Sequence, residues 1–136
     1  MILTDTSKKR LLGVHPDLVR VIKRAALDWK DEEFTFIVTC GVRTLAEQKV
    51  LVAKGFSKTL RSRHIPAKNG YGHAVDLAVM LKNKITWDWP PYHKIAKAVK
   101  EAAKAEGVPI EWGGDWKTFK DGPHFQLPWV SYPGTK

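Results

Sequence analysis

Three residues far apart in the chain, His64, Asp76 and His124, carry side chains suited to holding a divalent metal. Side chains alternate across a strand, and residues 73–80 read as one. Val75, Leu77 and Val79 share an apolar face, so Asp76 shares the other with Ala74 and Ala78. A carboxylate between two small residues has open space beside it, and an Asp in mid-strand runs against propensity. Residues 124–127 repeat the pattern: Phe125 and Leu127 take the packing face, and His124 and Gln126 take the opposite one. His64 lies in a long polar loop that must return to feed the Asp76 strand. Two imidazoles and one carboxylate suit zinc, with a fourth position left for water. The dispersed spacing does not by itself force the three together. A solvent-facing Asp76 and an ordinary surface His124 are the competing readings. His73 has the parity of Val75, so it points away from Asp76 and reads as a boundary residue. His15 and His93 stand beside helix starts and read as surface residues.

The elements that must position these groups are legible in outline. Residues 16–29 place Leu18, Val21, Ile22, Ala25 and Trp29 at helical spacing, with Pro16 suited to a first turn. Residues 34–40 read as a strand stopped by Gly41. Thr44 and Glu47 then form a capping-box pattern, opening a helix that carries Leu45, Val50, Leu51 and Ala53 and ends at Gly55. Arg43 is thereby held at a strand-to-helix corner. Residues 56–72 form a polar loop of a length that is often functional. After the 73–80 strand and a short turn, Asp88, Trp89, Pro90 and Pro91 read as the start of a helix that runs to Glu106 and stops at Gly107. Its apolar residues are Ile95, Ala98, Val99, Ala102 and Ala103. Residues 109–112 and 124–127 read as short strands, and the turn chemistry of Asp121, Gly122 and Pro123 sets Asp121 near His124 but off the strand. The pattern predicts an α+β fold: a single small domain over 1–136, with an antiparallel sheet and helices packed mainly on one side.

Composition narrows the classes. The chain has 136 residues, is 43% hydrophobic and carries a formal charge of +9. Its single cysteine, Cys40, excludes an internal disulfide and reads as a buried, inert thiol in an apolar run. No segment approaches the roughly 20 apolar residues of a membrane span. The first residues place their charges after the apolar ones, unlike a secretory signal, so synthesis in the cytoplasm is expected. The basic surface favours polyanions, either nucleic acid or an acidic cell envelope. The lysines are spread over helix faces rather than gathered in one tract, the pattern of a solvated surface.

Ser62, Arg63 and His64, followed by Gly72, His73, Ala74, Val75 and Asp76, resemble the SxH…GxAxD signature of the LAS zinc metallopeptidases. Asp121, Gly122, Pro123 and His124 resemble that group's acid-x-x-His segment, and Gly41 to Thr44 its G-x-R-[ST] corner. The run Trp112-Gly-Gly-Asp115-Trp116 resembles a stretch of its phage L-alanyl-D-glutamate endolysins. These landmarks occur in family order between residues 41 and 127. The resemblance implies one catalytic Zn2+ in an open cleft, held by His64, Asp76 and His124. It implies Asp121 as general base, with Glu111 a rival, and Arg43 as a substrate-binding or charge-stabilising residue. Ser62, Trp112 and Trp116 become substrate contacts, although large aromatics also close small cores. The implied activity is hydrolysis of an amide in the peptide stem of bacterial peptidoglycan, L-alanyl-D-glutamate first, as a phage or prophage endolysin. Such an enzyme is expected to be a monomer without a separate wall-binding domain. It would reach the wall after the inner membrane is permeabilised, aided by contact with anionic wall or outer-membrane lipid, with no nucleic acid partner. The alternatives are a D-Ala-D-Ala carboxypeptidase or dipeptidase and, from another class, a non-enzymatic basic domain binding nucleic acid or wall. Residues 65–71 depart from the compact form of the signature, which is shorter there, and this bears on substrate preference.

Overall fold

Apolar alternation along two strands builds the centre of the sheet. The computed structural model describes residues 1–57 and 62–133, so part of the predicted 56–72 loop and the last three residues lie outside it. β1 (Phe34–Cys40) pairs antiparallel with β2 (Ala74–Leu81), Phe34 opposite Leu81 and Val38 opposite Leu77. The other edge of β2 takes β5 (His124–Gln126), which in turn pairs with β4 (Glu111–Trp112). These strand pairings are antiparallel, and the order is β1-β2-β5-β4. A further strand, β3 (Lys84–Thr86), also pairs with β2. The sequence reading has only a turn there. Lys82 and Asn83 both adopt left-handed backbone, φ 50° and 65°, the geometry of a tight hairpin whose twist suits its strands.

Two helices cover one face of the sheet, as predicted. α2 (Pro16–Leu27) buries Leu18, Val21, Ile22 and Ala25, and α4 (Trp89–Glu106) buries Ile95, Val99, Ala102 and Ala103. They meet Phe36, Val38, Val75, Leu77, Val79, Phe125 and Leu127, all almost inaccessible to solvent. Burying one side chain of this size stabilises the fold by roughly 1.5–3 kcal/mol. The layer is therefore a firm base for whatever projects from the opposite face. α4 ends as expected at Gly107, whose φ of 69° suits a residue without Cβ.

Two helices depart from expectation. α1 (Asp5–Arg10) is absent from the sequence reading. It covers the outer edge of β1: Ser7 Oγ accepts from the Val38 amide at 3.0 Å, and Arg10 Nη1 donates to the Val38 carbonyl at 3.0 Å. An edge strand left bare would offer those groups to another chain. α3 (Leu45–Ala53) has the predicted capping box, with Thr44 and Glu47 exchanging hydrogen bonds at 3.0 Å. Its apolar residues Leu45 and Val50 are nonetheless exposed, whereas Gln48 is fully buried. The helix borders a polar cleft, to which Leu51 contributes, rather than the apolar layer. No helix among the described residues is long and apolar enough to cross a membrane.

Candidate metal centre

Strand register assembles most of the site. Residues directly opposite each other across a sheet share a face. Asp76 stands opposite His124 on one side and Cys40 on the other, so the three form a row across β1, β2 and β5. Cys40 reaches that row through a bulge. Its parity with Phe36 and Val38 would send it into the core, but the register shifts between Val38 and Cys40 and turns it over. The reading of Cys40 as a buried thiol is therefore corrected. It is half-buried, with Sγ 3.3 Å from Arg43 Nη2 and 3.8 Å from His64 Nδ1.

His64 is delivered by a loop pinned on both flanks. The Arg43 amide donates to the His64 carbonyl at 2.9 Å, and the His73 amide donates to the Arg63 carbonyl at 2.7 Å. Arg63 is itself buried. Its guanidinium donates twice to the Leu127 carbonyl (3.2 and 2.9 Å) and once to the Tyr132 carbonyl (2.6 Å), and lies 4.1 Å over the Trp129 ring. Sequence reasoning missed this anchor, because nothing in the spacing marks an arginine that bonds only carbonyls. Residues 65–71 fold back on themselves: the Ala67 amide donates to the Tyr71 carbonyl and Gly70 to Ala67, both at 2.9 Å. None of them lines the cleft described below.

The three predicted ligand side chains converge. Asp76 Oδ1 lies 3.3 Å from His64 Nε2 and 3.2 Å from His124 Nδ1. His64 Nδ1 is 2.7 Å from the Gly41 carbonyl oxygen. That oxygen only accepts, so Nδ1 carries the ring's proton and Nε2 of the neutral ring presents a lone pair to a carboxylate. At such distances a nitrogen lone pair and a carboxylate share a cation, a proton in the metal-free protein or a metal ion, and two imidazoles with a carboxylate are donors suited to the latter. An Asp121 oxygen also lies within 4.8 Å of donor atoms of Asp76 and His124, and Cys40 within the same limit of His64 and Asp76. The donor set therefore fits a metal ion. Gly113 lets Asp121 approach: their backbones bond at 3.0 Å, and a Cβ on Gly113 would collide with the Asp121 carbonyl.

The cluster floors a cleft of about 910 Å3, whose walls include Arg43, Ser62, Glu111, Trp116 and Asp121. Arg43 is held by Gln48 Oε1, which accepts from Nη1 at 2.7 Å, and its Nη2 stands 3.6 Å from Asp76 Oδ2. Ser62 Oγ accepts from the His64 amide at 3.1 Å. The Trp116 ring lies 5.1 Å from the His124 ring. Trp112 is different. Its partner in register is Phe125, on the packing face, so its ring is buried in the core and its Nε1 donates to the Gly122 carbonyl at 2.7 Å. The cleft-lining reading of Trp112 is corrected on that ground. His93 is exposed as expected. His73 is fully buried rather than at a boundary, and His15 is half-buried as the N-cap of α2.

Charge states follow from this crowding. Burial alone would push the His64 imidazole down, but the hydrogen bond and charge of Asp76, helped by Cys40, raise it to about 10. Burial would raise Asp76, yet its bonds to His124 and His64 hold it well below the usual carboxylate range. Burial, and then the charge of Asp76, raise Asp121. In chelator-treated protein the raised His64 stabilises the fold fully below its unfolded value of about 6.5, and this is lost as pH rises through about 10. The depressed Asp76 contributes above its unfolded value of about 3.9 and matters only in acid. The melting temperature of metal-free protein is thus expected to fall steadily from pH 6.5 to 10, as read by circular dichroism. A flat profile would contradict the pairing.

A firm antiparallel sheet whose open face gathers two imidazoles, a carboxylate and a further acid has the parts of a small metal-dependent hydrolase. The chain belongs to the phage L-alanyl-D-glutamate peptidase family, whose signature matches residues 1–127. It is 33% identical over 132 residues to an L-alanyl-D-glutamate peptidase of Escherichia phage T5, covering 94% of this chain and 90% of that protein. It is 37% identical over 117 residues to an L-alanyl-D-glutamate peptidase of Listeria phage A118, covering 85% of this chain but only 39% of that longer protein. The crystal structure of the Serratia marcescens L-Ala D-Glu endopeptidase ChiX matches it with a TM-score of 0.82 at 47% identity, covering 96% of this chain and 92% of that one.

Proposed function

We propose that this chain is a zinc-dependent peptidase that hydrolyses the L-alanyl-D-glutamate amide of the peptidoglycan stem, as an endolysin in phage-type host lysis. The observation that carries this reading is the meeting of His64 and His124 around one oxygen of Asp76, in a chain of this family. His64, Asp76 and His124 hold the ion. When bound, zinc supplies Lewis acidity toward the scissile carbonyl and lowers the pKa of water to roughly 7. Asp121 takes a proton from the attacking water and passes it to the leaving amine. Its half-buried setting, which raises the carboxyl, suits a group that must both accept and return a proton. Arg43, steadied by Gln48, stabilises charge developing on the carbonyl oxygen. Ser62 and Trp116 line the path of the stem peptide. The formal charge of +9 favours contact with anionic wall polymer or outer-membrane lipid once the inner membrane is breached, and the enzyme works as a monomer.

Purified wall sacculi test the reading directly. Digestion is expected to free L-alanine carboxyl ends and D-glutamate amino ends in equal number, by mass spectrometry of the fragments. Chelation should stop it and added zinc should restore it. Release of D-alanine instead would overturn the assignment in favour of a carboxypeptidase.

A further inference from the structure

We propose that Gln126, oriented by Glu111, is a positioning residue that fixes the tautomer of His124 and so decides which of its ring nitrogens is offered to the metal. The proposal rests on His124 being a ligand. Register sets Glu111 of β4 opposite Gln126 of β5, on the same face of the sheet as the cluster. A carboxylate only accepts hydrogen bonds, so the amide nitrogen of Gln126 must face it, and Nε2 lies 2.9 Å from Glu111 Oε2. The planar amide then turns Oε1 the other way, to 2.7 Å from His124 Nε2. That oxygen also only accepts, so His124 Nε2 carries the proton. Nδ1, 3.2 Å from Asp76 Oδ1, is then the nitrogen left to give a lone pair to a bound ion. Gln126 is only 6% exposed, which limits any competing partners from solvent.

The two histidines thus present different nitrogens, Nε2 from His64 and Nδ1 from His124. Their fixing acceptors, the Gly41 carbonyl and the Gln126 amide oxygen, bond opposite ring positions. Without an acceptor at Gln126 the His124 ring is free to place an N–H where the ion should sit. Groups that orient a ligating histidine typically change metal affinity by about 10–100-fold when removed. Glu111 then acts behind His124 rather than as a second base.

The test uses the whole chain and reads tautomer and affinity rather than turnover. Long-range 1H–15N spectra of the zinc-loaded protein should show the His124 proton at Nε2. Gln126→Met, of similar shape, should mix the tautomers and weaken zinc by about 10–100-fold in chelator competition. Glu111→Gln, which lets the amide turn over, should move both readouts the same way by less. The combined exchange of Glu111→Gln with Gln126→Glu reverses the pair but keeps an acceptor against Nε2, so it should restore the tautomer and most of the affinity. A space-filling role for Gln126 predicts native behaviour in Gln126→Met and no rescue by the exchange, and either result would overturn the proposal. His124→Ala separates the two levels. If it binds zinc like the native chain, the ligand reading fails. If it loses zinc while Gln126→Met does not, only the relay fails.

Discussion

The Asp121→Asn enzyme is expected to cleave wall peptide about 10²–10⁴-fold more slowly than the native chain while keeping its zinc. This corresponds to about 2.7–5.5 kcal/mol of transition-state stabilisation. Asp121 can do two separable things. Its carboxylate oxygen stands close enough to Asp76 and His124 to serve as a ligand. It is also the acid three residues before His124, on a turn, outside the row that register draws across the sheet. Asparagine preserves the outline of the side chain and leaves both backbone bonds in place, Asp121 N–H to the Gly113 carbonyl and His124 N–H to the Asp121 carbonyl. What it removes is a group able to accept a proton near neutral pH, and the raised Asp121 carboxyl is well suited to that task. Zinc content and turnover measured on the same sample decide between the roles. Turnover lost with zinc retained assigns proton transfer, whereas zinc lost in step with turnover makes Asp121 a ligand.

How much of this was readable beforehand depends on which rule governed each residue. Asp76 and His124 were placed on the cleft face by counting alternate positions from Val75 and Phe125, and their strands are regular where it matters, so the count holds. The same counting fails for Cys40 because one extra residue between Val38 and Cys40 inverts the parity, and no composition rule flags the bulge. Trp112 could have been placed in the core by parity, since it is paired with Phe125, but only if the pairing of β4 with β5 were known. α3 shows the limit of patterning from the other side. Its capping box announced where it starts, but its apolar residues did not announce what it faces. Its buried residue is Gln48, whose amide holds Arg43, and a polar residue serving a polar neighbour leaves no periodic signal. The return of its loop to β2 allowed His64 to reach Asp76, but only the resemblance singled it out, because its place depends on carbonyl contacts of the Arg63 loop that any sequence could make.

Asp76→Ala is expected to weaken zinc by well over the roughly 100-fold associated with supporting residues, and to abolish turnover with it. Asp76 is the one donor common to both groupings of potential ligands, Cys40 with His64 and Asp121 with His124. Its Oδ1 is the atom both imidazoles approach, and its Oδ2 faces the Arg43 guanidinium. Without that carboxylate the ion loses a charged ligand and meets an uncompensated arginine, whereas His124→Ala leaves the negative charge in place. Asp76→Ala should therefore bind zinc more weakly than His124→Ala. A second readout works without metal. In the native chain the carboxylate overrides the effect of burial on His64, and stability falls as pH rises from 6.5 toward 10. In Asp76→Ala burial is left as the dominant influence and depresses His64 below its unfolded value of about 6.5. A depressed histidine destabilises the fold in acid and ceases to do so once it is neutral in both states. Melting temperature in Asp76→Ala is thus expected to rise with pH up to about 6.5 and to stay level from there toward 10, where the native protein falls. A variant whose zinc affinity and pH slope both match the native chain would remove Asp76 from the centre of the site, and with it the reason the two histidines face each other.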